Sequence, residues 1–365
     1  MSFDQLPGGH GPGEPGAHDL RHHGDAEATD GLVDFAVNVL SDGPPTWLRD
    51  RLVATLDGLG RYPRADHDAR ARATAGARHG RAADHVLPLA GSAEGFALLP
   101  ALQPRLAAVL HPGFTEPEAA LRAAGVPVVR VLTDPAAGHV LEPRDVPDEA
   151  DLVVVGNPTN PTGVLHPADD VRALARPGRV LLVDEAFADA VPGEPEALAG
   201  DAETPGLLVF RSLTKTWALA GLRAGYALGD PALLARLAAP RPPWPVSTPA
   251  LEAIVACCEP DALSAADQKA REVAAHRVAM TAALSGIEGV AVHPGHAPYL
   301  LLHLPDGTGH DVRRLLREAG IAVRRGDTFP GLGPDHVRVA VRPPETAHRL
   351  AEELGAALRT LAVTA

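Results

Sequence analysis

The sequence predicts an α/β fold: a mostly parallel sheet of seven strands wrapped by helices, followed by a smaller α+β domain. From about residue 60 to 265, short apolar runs alternate with longer helical segments, the pattern of a parallel sheet. These runs show little strict alternation, as expected for strands covered on both faces. After about residue 265 the composition changes to a long Ala- and Arg-rich helical stretch.

Each element is expected from its local pattern. The strands of the large sheet are expected at 85–90, 106–111, 127–132, 151–156, 179–184, 206–212 and 224–229. A further helix is expected at 46–56. The smaller domain should contain helices at 265–286 and 310–320, strands at 298–304 and 336–342, and a terminal helix. Binding groups should lie at the carboxyl ends of the parallel strands.

The 365 residues are enough for about two domains. Residues 1–30 are rich in Gly, Pro, His and acidic residues, which predicts a flexible N-terminal tail. Residues 31–60, with the segment LVDFAVNVL and the helix at 46–56, are expected to join the small domain from the N-terminal side. A large cofactor-binding domain is predicted over 61–264 and a small C-terminal domain over 265–365.

The composition argues against several classes of protein. The formal net charge is −13, which points away from a nucleic-acid partner. No uninterrupted apolar run approaches the ~18 residues that would suggest a membrane span, so we expect a cytoplasmic protein. The cysteines Cys257 and Cys258 are adjacent, which suits neither a disulfide framework nor a CxxC metal site. We expect no metal site.

Lysine is rare in this chain, because only Lys215 and Lys269 occur. Chemistry that depends on an amine therefore has two candidates. Lys269 lies in the polar helical segment DQKAREVAAHR, which is typical of a solvated surface lysine. Lys215 lies in the turn S-L-T-K after a predicted buried strand.

Polar motifs occur at successive strands of the predicted sheet: GNPTNPTG (156–163), VDEAF (183–187), SLTK (212–215) and GLRAGY (221–226). Each has a role if the ligand is pyridoxal phosphate. Lys215 would hold the cofactor aldehyde as a Schiff base. A buried Asp184 would keep the pyridine nitrogen protonated, which makes the ring an effective electron sink. A helix N-cap is the alternative role for Asp184.

The segment AGSAEGFALL indicates a site for the cofactor phosphate. A strand, a Gly-Ser turn and a helix follow one another there, so backbone N–H groups near Ser92 and Ala93 can face an anion. Ser212 and Arg223 would add a hydroxyl and a positive charge. Phe114 is the candidate for stacking on the pyridine ring. A plain N-cap at Ser92 and a core position for Phe114 remain alternatives.

The motifs N-P-T-N-P-T-G, D-E-A-F and S-L-T-K-x-x-A-L-A-G-L-R-A-G-Y resemble, in order and spacing, the aminotransferase class I/II family of fold-type I pyridoxal phosphate enzymes. The resemblance runs from about Phe35 to the C-terminus. It implies a homodimer with shared active sites, in which Tyr62 reaches the phosphate of the neighbouring subunit. It also implies a set of cofactor-binding residues: Ser92, Ala93, Glu94, Phe114, Asn160 at the ring hydroxyl, Asp184, Phe187, Ser212, Lys215 and Arg223.

Within that family the chain is similar to histidinol-phosphate aminotransferases and, more closely, to threonine-phosphate decarboxylases of cobalamin synthesis. Phe187 favours the decarboxylases, because aminotransferases of the family usually have tyrosine there. The resemblance implies substrate-binding roles for His23, Asn38, Arg324 and Arg338. The sequence departs from the family pattern at three positions: Asp25, Leu40 and Ser247.

We therefore expect decarboxylation of a phosphorylated amino acid, with transamination between an amino acid phosphate and 2-oxoglutarate as the alternative. A non-catalytic sensor domain of a transcription regulator is disfavoured, because the polar N-terminal stretch has few basic groups and is too short for a winged helix. A dinucleotide-binding dehydrogenase is also disfavoured, since no G-x-G-x-x-G follows a predicted strand.

Overall fold

The computed structural model describes residues 20–364. Within that range it contains thirteen β-strands and ten α-helices. The strands are β1 (Val33–Asp34), β2 (Val86–Leu89), β3 (Ala107–His111), β4 (Val128–Leu132), β5 (Leu152–Gly156), β6 (Val180–Asp184), β7 (Leu207–Ser212), β8 (Gly225–Gly229), β9 (Ala291–Val292), β10 (Tyr299–His303), β11 (Ile321–Ala322), β12 (Arg324–Arg325) and β13 (His336–Ala340). The helices are α1 (Thr46–Val53), α2 (Ala65–Arg78), α3 (Ser92–Leu98), α4 (Glu116–Ala123), α5 (Ala168–Arg172), α6 (Pro231–Ala238), α7 (Thr248–Cys257), α8 (Pro260–Ser285), α9 (Gly309–Glu318) and α10 (Pro344–Thr364).

The predicted α/β fold class is confirmed. All seven expected strands form one sheet, in the order β2-β8-β7-β6-β5-β3-β4, and only β8 runs antiparallel to its neighbours. The inner strands consist of consecutive buried apolar residues, because helices cover both faces of the sheet. A separate four-stranded antiparallel sheet, β12-β13-β10-β9, follows later in the chain.

Two apolar cores cover the two faces of the seven-stranded sheet, and a third lies between the small sheet and the helices α8, α9 and α10. Helix α8 contributes to two of these cores. Its first turns place Ala262 and Ala266 against the large sheet, whereas Val273 and Met280 pack in the small-domain core. The boundary predicted between residues 264 and 265 thus falls inside a continuous helix, and the division into domains stays a prediction.

The segment 31–60 differs from the prediction in part of its length. Phe35 packs in the small-domain core and β1 pairs with β11, as expected for a segment joining that domain. Helix α1, however, places Leu48 in the core of the large sheet and contacts α7. The helical pattern predicted the helix but not the core against which its apolar face packs.

The predicted N-terminal tail lies partly within the described residues. Residues 1–19 lie outside the described residues, but residues 20–30 lie against the folded chain and contain a short 3₁₀ turn at Gly24–Ala26. The hydroxyl of Thr115 donates to the carbonyl oxygen of Leu20 (2.7 Å), and Arg317 donates to the carbonyl oxygen of Glu27 (3.0 Å). Residues 20–30 thus contact the folded chain, and the flexibility of residues 1–30 stays a prediction.

Two expectations from composition can be compared with the fold. Cys257 and Cys258 are buried free thiols at the end of α7. None of the helices between residues 20 and 364 is both long enough and apolar enough to cross a membrane.

Candidate active site

A cavity of about 340 Å³ lies at the carboxyl ends of the central strands. Strand β6 ends at Asp184, β7 ends at Ser212 shortly before Lys215, and the loop after β5 carries Asn160. Of the fifteen residues predicted for the site, thirteen line this cavity: His23, Asn38, Ser92, Ala93, Phe114, Asn160, Asp184, Phe187, Ser212, Lys215, Arg223, Arg324 and Arg338. The predicted motifs are therefore brought together by the topology of the sheet.

Lys215 is the amine of this cavity. Its Nζ lies 5.9 Å from the centre of the Phe187 ring, and that ring packs edge-on against Tyr299, with 5.0 Å between the centroids. Burial, together with the guanidinium groups of Arg338 and Arg223, lowers the pKa of Lys215 to about 8. A substantial fraction of the amine is therefore uncharged near neutral pH and can act as a nucleophile or base.

Asp184 is a half-buried carboxylate at the cavity, and few of the described residues stabilise its negative charge. It accepts one long hydrogen bond, from the backbone N–H of Ala186 (3.2 Å). Burial raises the pKa of Asp184 to about 7, although the charge of Lys215 acts in the opposite direction. A protonated ring nitrogen beside this carboxylate would supply the missing partner and stabilise its ionised form. The N-cap alternative is not supported, because the chain continues into a 3₁₀ turn capped at Phe187 without a side-chain bond.

The loop that carries Asn160 is fixed by buried hydrogen bonds. His166 donates from Nε2 to the hydroxyl of Thr159 (2.9 Å), and the Asn157 side chain bonds both backbone groups of His166 (2.8 and 3.0 Å). Tyr299, from the small sheet, donates its hydroxyl to the carbonyl oxygen of Thr159 (3.0 Å). The amide of Asn160 is thus presented to the cavity by a rigid loop.

A cradle for an anion lies at the same edge of the sheet, where β2 and β7 end and β8 begins. Helix α3 begins at Ser92, and the first N–H groups of a helix have no partner within the helix. Gly91 precedes it with φ +78°, and a Cβ there would lie 2.7 Å from Nη2 of Arg223. Arg223 itself adopts a left-handed φ of 60°, a conformation that costs energy in a residue other than glycine. Ser212 completes the cradle.

Two guanidinium groups lie on the small-domain side of the cavity, and both are buried. Arg338 donates to Oδ1 of Asn160 (2.7 Å) and to the carbonyl oxygen of Ala36, while its Nε is buried without a partner among residues 20–364. Burial, reinforced by Arg324, lowers the pKa of Arg338 to about 9, which leaves it charged at neutral pH. Arg324 donates to the hydroxyl of Thr328 (2.6 Å).

Residues 20–30 form one wall of the cavity. The carbonyl oxygen of His22 accepts a hydrogen bond from Arg324 (2.6 Å). His23 bonds Oε1 of Glu116 through Nε2 (2.5 Å), and its ring lies 5.6 Å from that of Phe114. This hydrogen bond lowers the pKa of the Glu116 carboxyl. The structure therefore brings His23 to the site, by contacts with a distant helix.

Two predicted residues lie outside the cavity. The carboxylate of Glu94 accepts the N–H of Ala90 (2.6 Å) and pairs with Arg241 (2.9 and 3.0 Å), so it fixes the turn before α3 and does not face a ligand. Tyr62 is 71% exposed and stacks on Trp244, with 4.2 Å between the ring centroids. Its role in a neighbouring subunit stays a prediction.

Sequence reasoning missed three residues that shape the cavity. Thr214 and Phe329 line it, and the guanidinium of Arg324 lies 4.8 Å from the centre of the Phe329 ring. Glu116 binds His23 from just outside. Thr214 lies within the motif S-L-T-K, so the sequence could have indicated it as a site residue. Nothing in the local sequence marks Phe329 or Glu116 as part of the site.

The residues present fit pyridoxal phosphate on three observations. Asp184 is a half-buried carboxylate at the cavity without an ion pair among the described residues, and Arg223, Ser212 and the N-terminus of α3 line the same cavity. Both amide atoms of Asn38 are buried without a partner among the described residues. The individual roles of these residues stay predictions.

Comparison with known proteins agrees with this arrangement. The family model for aminotransferase class I and II matches residues 30–354. A histidinol-phosphate aminotransferase of Mycobacterium tuberculosis is 54% identical over 323 residues, which cover 88% of this chain and 87% of that protein. A threonine-phosphate decarboxylase of Salmonella typhimurium is 32% identical over 335 residues, which cover 88% and 90%.

Solved structures share the fold. The histidinol-phosphate aminotransferase of Clostridium acetobutylicum has a TM-score of 0.82 at 22% identity, covering 90% of this chain and 100% of that one. The L-threonine-O-3-phosphate decarboxylase of Porphyromonas gingivalis has a TM-score of 0.79 at 24% identity, covering 89% and 99%. From the matched family model and these relatives, the chain belongs to the aminotransferase class I and II family, whose members are pyridoxal phosphate-dependent enzymes.

Proposed function

We propose that this enzyme transfers the amino group of a phosphorylated amine, of the histidinol phosphate type, to a 2-oxo acid such as 2-oxoglutarate. The observation that carries the proposal is the position of Arg338. Its buried guanidinium lines the same cavity as Lys215, and its Nε has no partner among residues 20–364, so part of its hydrogen-bonding capacity and its positive charge are not used by the described residues and can act on an anionic group of the substrate. Glutamate and a phosphorylated amine both present such a group near the reacting carbon.

The chemistry that bound pyridoxal phosphate supplies is an electron-poor ring that stabilises negative charge at the substrate Cα. Asp184 would hold a proton at the ring nitrogen, and Asn160 would donate to the ring hydroxyl oxygen. Arg223, Ser212 and the first turn of α3 would bind the phosphate. The half-buried amine of Lys215 would accept the Cα proton and return it to the cofactor carbon that is bonded to the amino nitrogen.

The choice of reaction depends on which bond at Cα stands perpendicular to the ring. Arg338 and Arg324 would set this angle, because a guanidinium fork fixes the direction of a carboxylate or phosphate. Transamination needs the Cα–H bond in that position. The apolar rings of Phe114 and Phe187 would exclude water from the reacting Cα–H bond.

We rank transamination first, which reverses the order expected from the sequence. Support comes from the 54% identity to a protein named histidinol-phosphate aminotransferase, against 32% to the named decarboxylase. Decarboxylation of threonine phosphate is the second candidate. It is favoured by Phe187, which offers no hydroxyl to the ring oxygen.

We also propose a homodimer in which each subunit completes its partner's site. Several large apolar side chains between residues 47 and 62 are exposed, and so is Trp244, whose ring stacks on that of Tyr62. The exposed residues of this segment are Trp47, Val53, Leu56, Leu59 and Tyr62. Several large apolar side chains exposed within one segment are typical of an interface. A second copy of this chain would cover it. Nucleic-acid binding is disfavoured by the net charge, and the cytoplasmic location stays a prediction.

The function is tested by product analysis of the purified, cofactor-loaded enzyme. With histidinol phosphate and 2-oxoglutarate we expect glutamate to form, and omission of 2-oxoglutarate should stop turnover after one equivalent. With threonine phosphate we expect no carbon dioxide. Release of carbon dioxide and aminopropanol phosphate without any 2-oxo acid would instead establish the second candidate.

A further inference from the structure

The segment 20–30 places one acidic side chain, Asp25, at the cavity. The two residues before it are held in place: His23 bonds Glu116, and a Cβ on Gly24 would lie 2.3 Å from the carbonyl oxygen of Ala36 and 3.4 Å from Nη2 of Arg338. Gly24 thus lies directly against the guanidinium that would bind the substrate anion. The position of Asp25 beside it follows from these contacts.

Asp25 has no role in holding the fold. Its side chain is exposed at the mouth of the cavity and forms neither an ion pair nor a hydrogen bond with any residue from 20 to 364. It is close enough to Lys215 for its charge to act on that amine, in the direction that raises the pKa. An acid that lines a mostly cationic cavity without a partner has its charge available to a ligand.

The charges of the cavity can be assigned one by one. Seven titratable residues line it: His23, Asp25, Asp184, Lys215, Arg223, Arg324 and Arg338. Lys215, Asp184 and Arg223 are taken by the cofactor under the proposed function, and His23 is paired with Glu116. Arg338, with Arg324 behind it, would receive one anionic group. The remaining charge is negative.

We propose that Asp25 selects the second arm of the substrate: it favours an arm with N–H donors or a positive charge, such as an imidazole, and disfavours a second anion. Histidinol phosphate carries one anionic arm and one imidazole. Threonine phosphate carries a phosphate and a carboxylate. This inference rests on the proposed function, and it assigns the discrimination between its two candidates to one side chain.

The test compares Asp25→Asn with the wild type, using the loaded enzyme. Each phosphorylated amine is mixed with enzyme at low concentration, and the second-order rate constant for the change in cofactor absorption is measured. This readout reports engagement of the amine whichever bond is broken afterwards. Asp30→Asn is the matched control, because Asp30 is an exposed acid of the same segment that does not line the cavity.

We expect Asp25→Asn to lower the rate constant for histidinol phosphate about threefold to fivefold and to raise that for threonine phosphate by a similar factor. These factors correspond to the energy of a solvent-exposed charge pair. The ratio of the two rate constants should therefore fall by about tenfold to 25-fold, and less at high salt. Asp25→Lys should shift it further in the same direction, and Asp30→Asn should leave it unchanged.

An unchanged ratio in Asp25→Asn, or an equal shift in Asp30→Asn, would overturn the inference. If transamination of histidinol phosphate by the wild type is intact, that result leaves the proposed function standing. Conversely, Asp25→Asn could lower the ratio of the two rate constants about tenfold while the wild type forms no glutamate from 2-oxoglutarate. That result would support the role of Asp25 and refute transamination.

Discussion

Acidification should destabilise this protein through His166, a fully buried histidine behind the candidate site. Its Nδ1 accepts the backbone N–H of Leu141 (3.2 Å), while its Nε2 donates to the hydroxyl of Thr159 (2.9 Å). This pattern requires a neutral ring. Burial lowers the pKa of His166 to about 4.

The size of this loss of stability follows from the difference between the pKa of His166 in the folded protein and the pKa of about 6.5 for histidine in an unfolded chain. As the pH falls, the unfolded state binds the proton first, so the free energy of unfolding decreases from about pH 6.5 to about pH 4. At about 1.4 kcal/mol for each unit, His166 accounts for a loss of about 3 kcal/mol. About 2 kcal/mol of this falls between pH 7 and pH 5.

Urea unfolding at pH 7 and pH 5 measures this loss for the wild type and for His166→Gln, whose amide can still donate to Thr159 but does not titrate. The decrease in unfolding free energy should be about 2 kcal/mol smaller in the variant. Thr159→Val serves as a control, because it removes the hydroxyl that bonds His166 and the carbonyl oxygen of Gly156 but leaves the ring buried. It should lower stability at both pH values and keep most of the pH dependence. An equal acid-induced loss in wild type and His166→Gln would refute the reasoning.

Three substitutions test the chemistry of the site. Lys215→Ala should lower turnover by about 10²–10⁴-fold with an unchanged thermal midpoint, because the base is lost while the fold is kept; Lys269→Ala, the control, should stay near wild-type turnover. After borohydride reduction, peptide mapping should find the cofactor on Lys215, and finding it on Lys269 would contradict the assignment. Asp184→Asn should still bind the cofactor but lose about 10²-fold or more in rate, since an amide cannot stabilise a protonated ring nitrogen; near-normal rates would count against Asp184. Arg338→Lys should cost about 10²-fold in kcat/KM although the charge is kept, because the fork that sets the substrate angle is lost; an unchanged kcat/KM would show that charge alone suffices.

The sheet and the centre of the site could be predicted from the sequence because their signals are local. Each strand is a short apolar run, and the motifs that carry Asn160, Asp184 and Lys215 lie at the end of such a run or just beyond it, so parallel topology alone brings these three residues together. The scarcity of lysine left few candidates for the amine. None of these inferences needed knowledge of long-range contacts.

The remaining features depend on partners far away in the chain. Residues 20–30 have the composition of a tail, but Thr115, Glu116 and Arg324 supply the hydrogen bonds that hold them at the cavity. Glu94 follows the phosphate turn in sequence, yet Arg241 binds it from another element. Such contacts have no local pattern, so composition and spacing could not predict them.

The fate of the hydrogen on the substrate Cα tests the proposed reaction most directly. Histidinol phosphate deuterated at Cα is incubated with the loaded wild-type enzyme and 2-oxoglutarate, and recovered substrate and products are analysed by mass spectrometry. The account predicts that deuterium is lost from Cα as glutamate forms, because Lys215 removes that proton. Full retention of deuterium, together with carbon dioxide release from threonine phosphate, would contradict transamination.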